Sequence, residues 1–227
     1  SAVAIDTSAT DVITGDPTNL MGTAQWGGVV LSGRGITSDG EEVATEAAPS
    51  DGERFFGGTD NEDSSGSLEY IIIAESGFAF TTDEEVQGLT IEAAGSGTTI
   101  DFVQVLRSDD DCVEWYGGAA DASHIICNGV EDDGLDIDQG YVGNIQFAIV
   151  RMGAMAGNHG IESDGQDLNT PFTAPNIANL TVLGNAGSQE TVGALHRENF
   201  QGKVYRSVFT DDLLAGGEVD FACLNVD

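Results

Sequence analysis

The stretch VQVLRSDDDCVEWYGG, Val103 to Gly118, aligns with IICNGVEDDGLDIDQG, Ile125 to Gly140, at an offset of 22 residues. Both copies run from a strand-like segment through an acidic turn into a second short strand and a glycine turn. AMAGNHGIESDG, from Ala154, continues the pattern after a further step of about 26. Upstream, LEYIIIAES from Leu68 aligns with IDFVQVLRS from Ile100. Downstream, IANLTVLGN from Ile177 and GKVYRSVFT from Gly202 read as two further copies of the first strand. Short β-branched and aromatic runs bounded by Gly, Asp, Asn and Ser are strand and turn signals, and helix signals are poor throughout.

A repeat of roughly 22 to 30 residues with two or three short strands per copy predicts the coil of a parallel β-helix. An antiparallel sandwich or barrel also has many short strands, but it explains neither the offset nor the matched acids. The expected fold is therefore all-β, one elongated domain over residues 1–227, with 1–25 and 202–227 as terminal strands or caps. About eight coils at a strand spacing of roughly 4.8 Å give a rod on the order of 40 Å long. Inward-facing ladders are expected at Tyr70, Phe102 and His124, at Ile73, Val105 and Cys127, and at Val113, Leu135 and Ile161.

Charge sets the second constraint. The chain carries 39 acids against 7 bases, a formal net charge of -32. With the single lysine Lys203, it has no basic face for nucleic acid or an anionic membrane. No apolar run approaches the length of a membrane span. A surface this negative repels itself unless cations screen or bind it, which fits a saline or divalent-rich setting. The small-residue start SAVA is compatible with the remainder of a cleaved signal. Cys112, Cys127 and Cys223 match no metal-finger spacing. Three pairings are open, Cys112 with Cys127 being the nearest in sequence, and three small buried thiols are the alternative.

The blocks WGGVVLSGRG (Trp26–Gly35), FFGGTDNEDSSGSLEYI (Phe55–Ile71), GSGTTIDFVQVLRSDDDCVEWYGG (Gly95–Gly118) and EDDGLDIDQGYVGNIQFAIV (Glu131–Val150) carry a resemblance. They are similar, in order, to secreted bacterial β-helix proteins of mostly unknown function. The resemblance covers most of the chain from Trp26 to about Gly184 and implies a right-handed parallel β-helix outside the cell. It carries no catalytic residues. Ile137 stands where those proteins more often have an aromatic residue.

The same alignment puts Glu114, Asp136 and Glu162 at equivalent positions, with Asp138 and Asp164 two residues on. Like charges about 5 Å apart repel by on the order of 3 kcal/mol at an effective dielectric near 20. A repeated row of them points to a bound cation, and oxygen-only donors suit calcium; a solvated acidic face is the alternative. The expected ligands are Asp132, Asp133, Asp136 and Asp138, with Asp109, Asp110, Asp111 and Glu114 on the preceding coil; His159 is close enough in sequence to join them. Asp60, Glu62 and Asp63 form a second acidic turn.

Trp115 and Tyr116 are candidates for stacking on sugar rings. Arg107, Arg151 and Arg206 are the bases in strand-like positions, and Arg107 is the best placed for lyase chemistry. Three functions follow. One is an extracellular structural or adhesive protein, without catalysis, that assembles head to tail or by strand donation with its own copies, helped by divalent cations. The others are a carbohydrate-binding module and a polysaccharide lyase or glycoside hydrolase.

Overall fold

The structure, a computed structural model, describes residues 24–47, 54–80, 85–153, 157–165, 168–184, 192–211 and 225–226. Its strands are numbered along the chain. One parallel sheet stacks β1 (Val29–Ser32), β5 (Leu89–Glu92), β7 (Val113–Tyr116), β9 (Leu135–Asp138), β11 (Ile161–Asp164), β13 (Leu195–Arg197) and β16 (Asn225–Val226) in that order. The other stacks β4 (Ser67–Ser76), β6 (Thr99–Ser108), β8 (Ala122–Val130), β10 (Asn144–Met152) and β12 (Asn176–Gly184), followed by β14 (Lys203–Tyr205) and β15 (Val208–Asp211), which both pair with β12. The chain alternates between the two sheets, one rung per turn, as a right-handed parallel β-helix. The antiparallel pair β2 (Val43–Ala44) and β3 (Phe55–Phe56) lies beside it. Most of the expected terminal segments, 1–25 and 202–227, lies outside the described residues.

The observed register is the repeat alignment. Leu68 pairs with Ile100, Val103 with Ile125, Val113 with Leu135, and Leu135 with Ile161. Period-two alternation then sends one apolar side chain per rung inward. Ile73, Val105, Cys127, Val150 and Val182 form one buried ladder, and Leu89, Val113, Leu135 and Ile161 form another. At roughly 1.5–3 kcal/mol for each fully buried side chain, these ladders hold the rod together.

The glycines before β5, β9 and β11 are packed too tightly to take a side chain. A Cβ on Gly88, Gly134 or Gly160 would lie 2.4 Å from a methyl of Val105, Val150 or Val182 respectively. On the β7 rung, Cys112 takes the glycine position and Cys127 the valine position. Their sulfurs are bonded at 1.98 Å.

One expected ladder faces the other way. Tyr70, Phe102 and His124 do share a position, but they point outward, and Tyr70 is 76% exposed. Each has φ between 52° and 56°, and Phe147, Asn179 and Arg206 continue the left-handed column at 59°, 57° and 54°. A left-handed residue bends the strand and breaks its alternation, so an apolar side chain at that corner emerges on the outside. The rings stack face to face with centroids 4.6, 4.3 and 5.2 Å apart from Tyr70 to Phe147.

Candidate functional site

Outward side chains of the first sheet and of the turns before it build an acidic cleft. Thr90, Glu114, Asp136 and Glu162 are in register on β5, β7, β9 and β11. Their inward neighbours Val113, Trp115, Leu135, Ile137 and Ile161 are buried, so the pleat turns every one of these acids to the same outer lane.

The acidic turns keep this register. Cys112 N–H donates to Asp133 O at 2.9 Å, and Gly134 N–H to His159 O at 2.8 Å. Asp111, Asp133 and His159 therefore stack, with Asp110, Asp132 and Asn158 beside them. Side chains tie the turns together: Asp111 Oδ1 accepts the Asp133 N–H at 2.8 Å, and Asp133 Oδ1 accepts the His159 N–H at 2.6 Å.

The cleft has a volume of about 280 Å³; ten of its fourteen lining residues are Asp or Glu, and none is Lys or Arg. Asp110, Asp111, Glu114 and Asp133 are buried. Burial first, then the charges of Glu85 and Asp132, push Asp110 up to about 7. Burial, followed by neighbouring carboxylates, lifts Asp111, Glu114, Asp133 and Asp136 well above the ordinary range. Glu162 goes the other way. Burial raises it, but hydrogen bonds with His159 and Asp133 and the charge of Arg197 outweigh that and hold it at about 2.

The compensation sits at one end. His159 Nδ1 is 2.7 Å from Glu162 Oε2 and 2.9 Å from Asp133 Oδ1. Arg197, on β13, pairs with Glu162 and grips Asp164 through Nε and Nη2, each at 2.7 Å. At the other end, Asp110 Oδ2 and Glu114 Oε2 are buried without a hydrogen-bond partner.

Of the eight acids expected as metal ligands, Asp110, Asp111, Glu114, Asp132, Asp133, Asp136 and Asp138 line this cleft. Glu46 and Glu85, which also line it, lie outside the aligned repeats and gave no sequence signal. Asp109 is not part of the lining. The second acidic turn is a structural one: Asp60 Oδ1 accepts the Glu62 N–H and Asp63 Oδ2 the Arg34 N–H, both at 3.0 Å.

Two expectations are corrected. Trp115 is 0% exposed and packs on Tyr141, and Tyr116 is buried against Phe56, so neither offers a ring face to a glycan. Strand alternation puts Trp115 on the same inward side as Val113. Arg107 and Arg151 belong to the second sheet, on β6 and β10, and Arg206 lies between β14 and β15. None of the three lines the cleft; Arg197 pairs with Glu162, one of its acids.

A larger groove of about 560 Å³ runs along the second sheet beside the stacked aromatic column, lined in part by Ile126, Ile149 and Thr181. It is mostly apolar. The ring faces in it are taken up by one another, so it presents ring edges rather than a sugar-stacking platform.

A sequence model of the family described as "Pectate-lyase like beta helix domain" matches residues 4–221. The chain belongs to that family. No curated protein and no solved structure matches it.

Proposed function

Taking membership of the pectate-lyase-like β-helix family as the premise, we propose that this chain acts outside the cell. Its acidic cleft binds divalent cations and uses them to hold an acidic polysaccharide. The observation that carries this reading is the cleft itself, with ten carboxylates and no lysine or arginine in its lining. Such a surface repels a polyanion on its own. A hard dication accepts oxygen ligands from both sides, so it joins a protein carboxylate to a sugar carboxylate. All donors at the uncompensated end are carboxylate oxygens, a set that suits calcium or magnesium rather than a thiophilic metal. Calcium's tolerance of irregular geometry makes it the better fit.

Elimination chemistry also needs a base, and Arg197 does not supply one. Hydrogen bonding to Asp164, and the charges of Glu162 and Asp164, raise its pKa further and keep its proton in place. Cation-mediated binding is the reading proposed, and cleavage with another group as base is the alternative that the test separates. The test is titration of the chelator-stripped chain with calcium, followed by co-sedimentation with polygalacturonate and alginate with and without the metal. Calcium binding with calcium-dependent capture supports the reading, and no calcium binding overturns it. Release of unsaturated oligosaccharides, followed by ultraviolet absorbance, would instead establish cleavage.

A further inference from the structure

Seven of the cleft's carboxylates, with His159, form three groups. In each, one ligand atom per residue lies within 4.8 Å of the others: Asp110, Asp111 and Asp132; Asp111, Glu114 and Asp136; and Asp133, His159 and Glu162. These groups are not equivalent.

The third already has its counter-groups. Asp133 Oδ1 takes the His159 N–H at 2.6 Å, both acids face His159 Nδ1, and Arg197 pairs with Glu162. The first two contain neither histidine nor arginine. Each holds one oxygen with no hydrogen-bond partner, on a side chain more than nine-tenths buried: Asp110 Oδ2, with Asp110 8% exposed, and Glu114 Oε2, with Glu114 6% exposed. Leaving a buried carboxylate oxygen unpaired is expensive unless a charge arrives to meet it. Asp111 belongs to both groups.

We propose that the first two groups hold two divalent cations with Asp111 as their shared ligand, and that the third group holds none. This rests on the cation reading above and gives it a number and a position. A carboxylate has about four lone-pair sites. Asp111 accepts the Asp133 N–H on Oδ1 at 2.8 Å, and its remaining lone pairs leave capacity for two metals. Charge points to the same count. The five acids of the two groups carry -5 when ionised. One dication leaves a strongly anionic buried cluster, whereas two bring it close to neutral. Three carboxylates per ion fall short of the six to eight oxygens calcium takes. Positions facing the cleft mouth remain for water or for carboxylates of a bound polymer.

The experiment is calorimetric titration of calcium into the chelator-stripped full chain, with a thermal melt of every variant to confirm folding. The wild type is expected to bind two ions. Asp110→Asn and Glu114→Gln should each leave one, and Asp111→Asn should weaken both by tenfold or more. The asparagine at 111 still accepts the Asp133 N–H, so the turn is kept. His159→Gln should leave two. A wild type that binds one ion, or a His159→Gln variant that loses one, overturns the shared-ligand arrangement while leaving the cation reading standing. No binding and no thermal shift in the wild type overturns the cation reading itself.

Discussion

Asp136→Asn should raise the melting temperature of the calcium-free protein and remove about half of the stabilisation that calcium gives the wild type, because it belongs to one of the two proposed sites. Asp136 is the middle rung of the Glu114–Asp136–Glu162 ladder, and Glu162 is the largest charge acting on it. With rungs roughly 5 Å apart, each ionised neighbour contributes about 3 kcal/mol of repulsion at an effective dielectric near 20. Protonation relieves part of this, because burial and the neighbouring carboxylates already lift the Asp136 pKa. The net gain from a neutral side chain is then about 2–3 kcal/mol near pH 7, or roughly 5–10 °C for a chain of this length. The asparagine oxygen can keep the 2.6 Å bond from the Ile137 N–H, so the loss of charge is nearly isolated from loss of structure. In the wild type, calcium at about 100 times its dissociation constant adds about 2.7 kcal/mol for each site it fills. Differential scanning calorimetry in chelator and then in calcium gives both numbers. If the variant melts below the wild type in chelator, the acids are not in net repulsion and the reasoning fails.

Three further outcomes are expected. Glu92 is buried and its pKa is raised, by burial first, against the hydrogen bonds from Ser32 and Thr45. Its contribution is full below the unfolded value near 4.5 and is lost as pH rises through the folded value. Glu92→Gln should therefore gain on the wild type between about pH 4 and pH 7 in denaturant melts, and a constant difference would refute the assignment. Reducing the Cys112–Cys127 bond, which spans 15 residues, should cost about 3 kcal/mol. The Cys112→Gly/Cys127→Val double variant should still fold, because it restores the pairing seen at Gly134 and Val150; loss of the β-sheet circular dichroism signal would refute that. Light scattering should show calcium-linked growth of particles if the same cations also join copies of the chain, and unchanged size across calcium concentrations would confine them to the cleft.

The sequence displays some layers of this fold openly and conceals others, for identifiable physical reasons. Ile73, Val105 and Cys127, like Val113, Leu135 and Ile161, are legible because the offset of one coil survives in both of its strands. Those offsets also align DDC at Asp110–Cys112, DDG at Asp132–Gly134 and NHG at Asn158–Gly160, so the stacking of Asp111, Asp133 and His159 could be read from them. The outward aromatic column is hidden. Its left-handed corners shift the parity of the strand, and Tyr70 or Phe102 in an apolar run looks like core. Arg197 is hidden by distance: it pairs with Asp164 across 33 residues, after steps of 22 and 26, so no repeat alignment points to it. Glu46 reaches the cleft from beside β2 and takes the Tyr116 hydroxyl at 3.1 Å, a contact 70 residues apart in sequence.

The chemistry of the cleft follows from the way a β-helix copies a residue along its axis. In an ordinary sheet a single acid faces varied neighbours. Here the in-register stack repeats the acid on three consecutive rungs, and neighbouring like charges cannot separate without unpairing the strands. The apolar ladders of the interior resist that, because sliding one rung would expose Leu135 or Ile137 and leave backbone hydrogen bonds unmade. The acids are thus held close by the core rather than by attraction for one another. Arg197 and His159 relieve the strain at the Glu162 end. At the Asp110 and Glu114 end two oxygens stay unpaired. A cation entering there finds its ligands already gathered, and the repulsion that weakens the free protein is released on binding. Stability and affinity are therefore coupled: a substitution that relaxes the apo cleft should weaken cation binding, and one that loosens the ladder beneath it should reduce both.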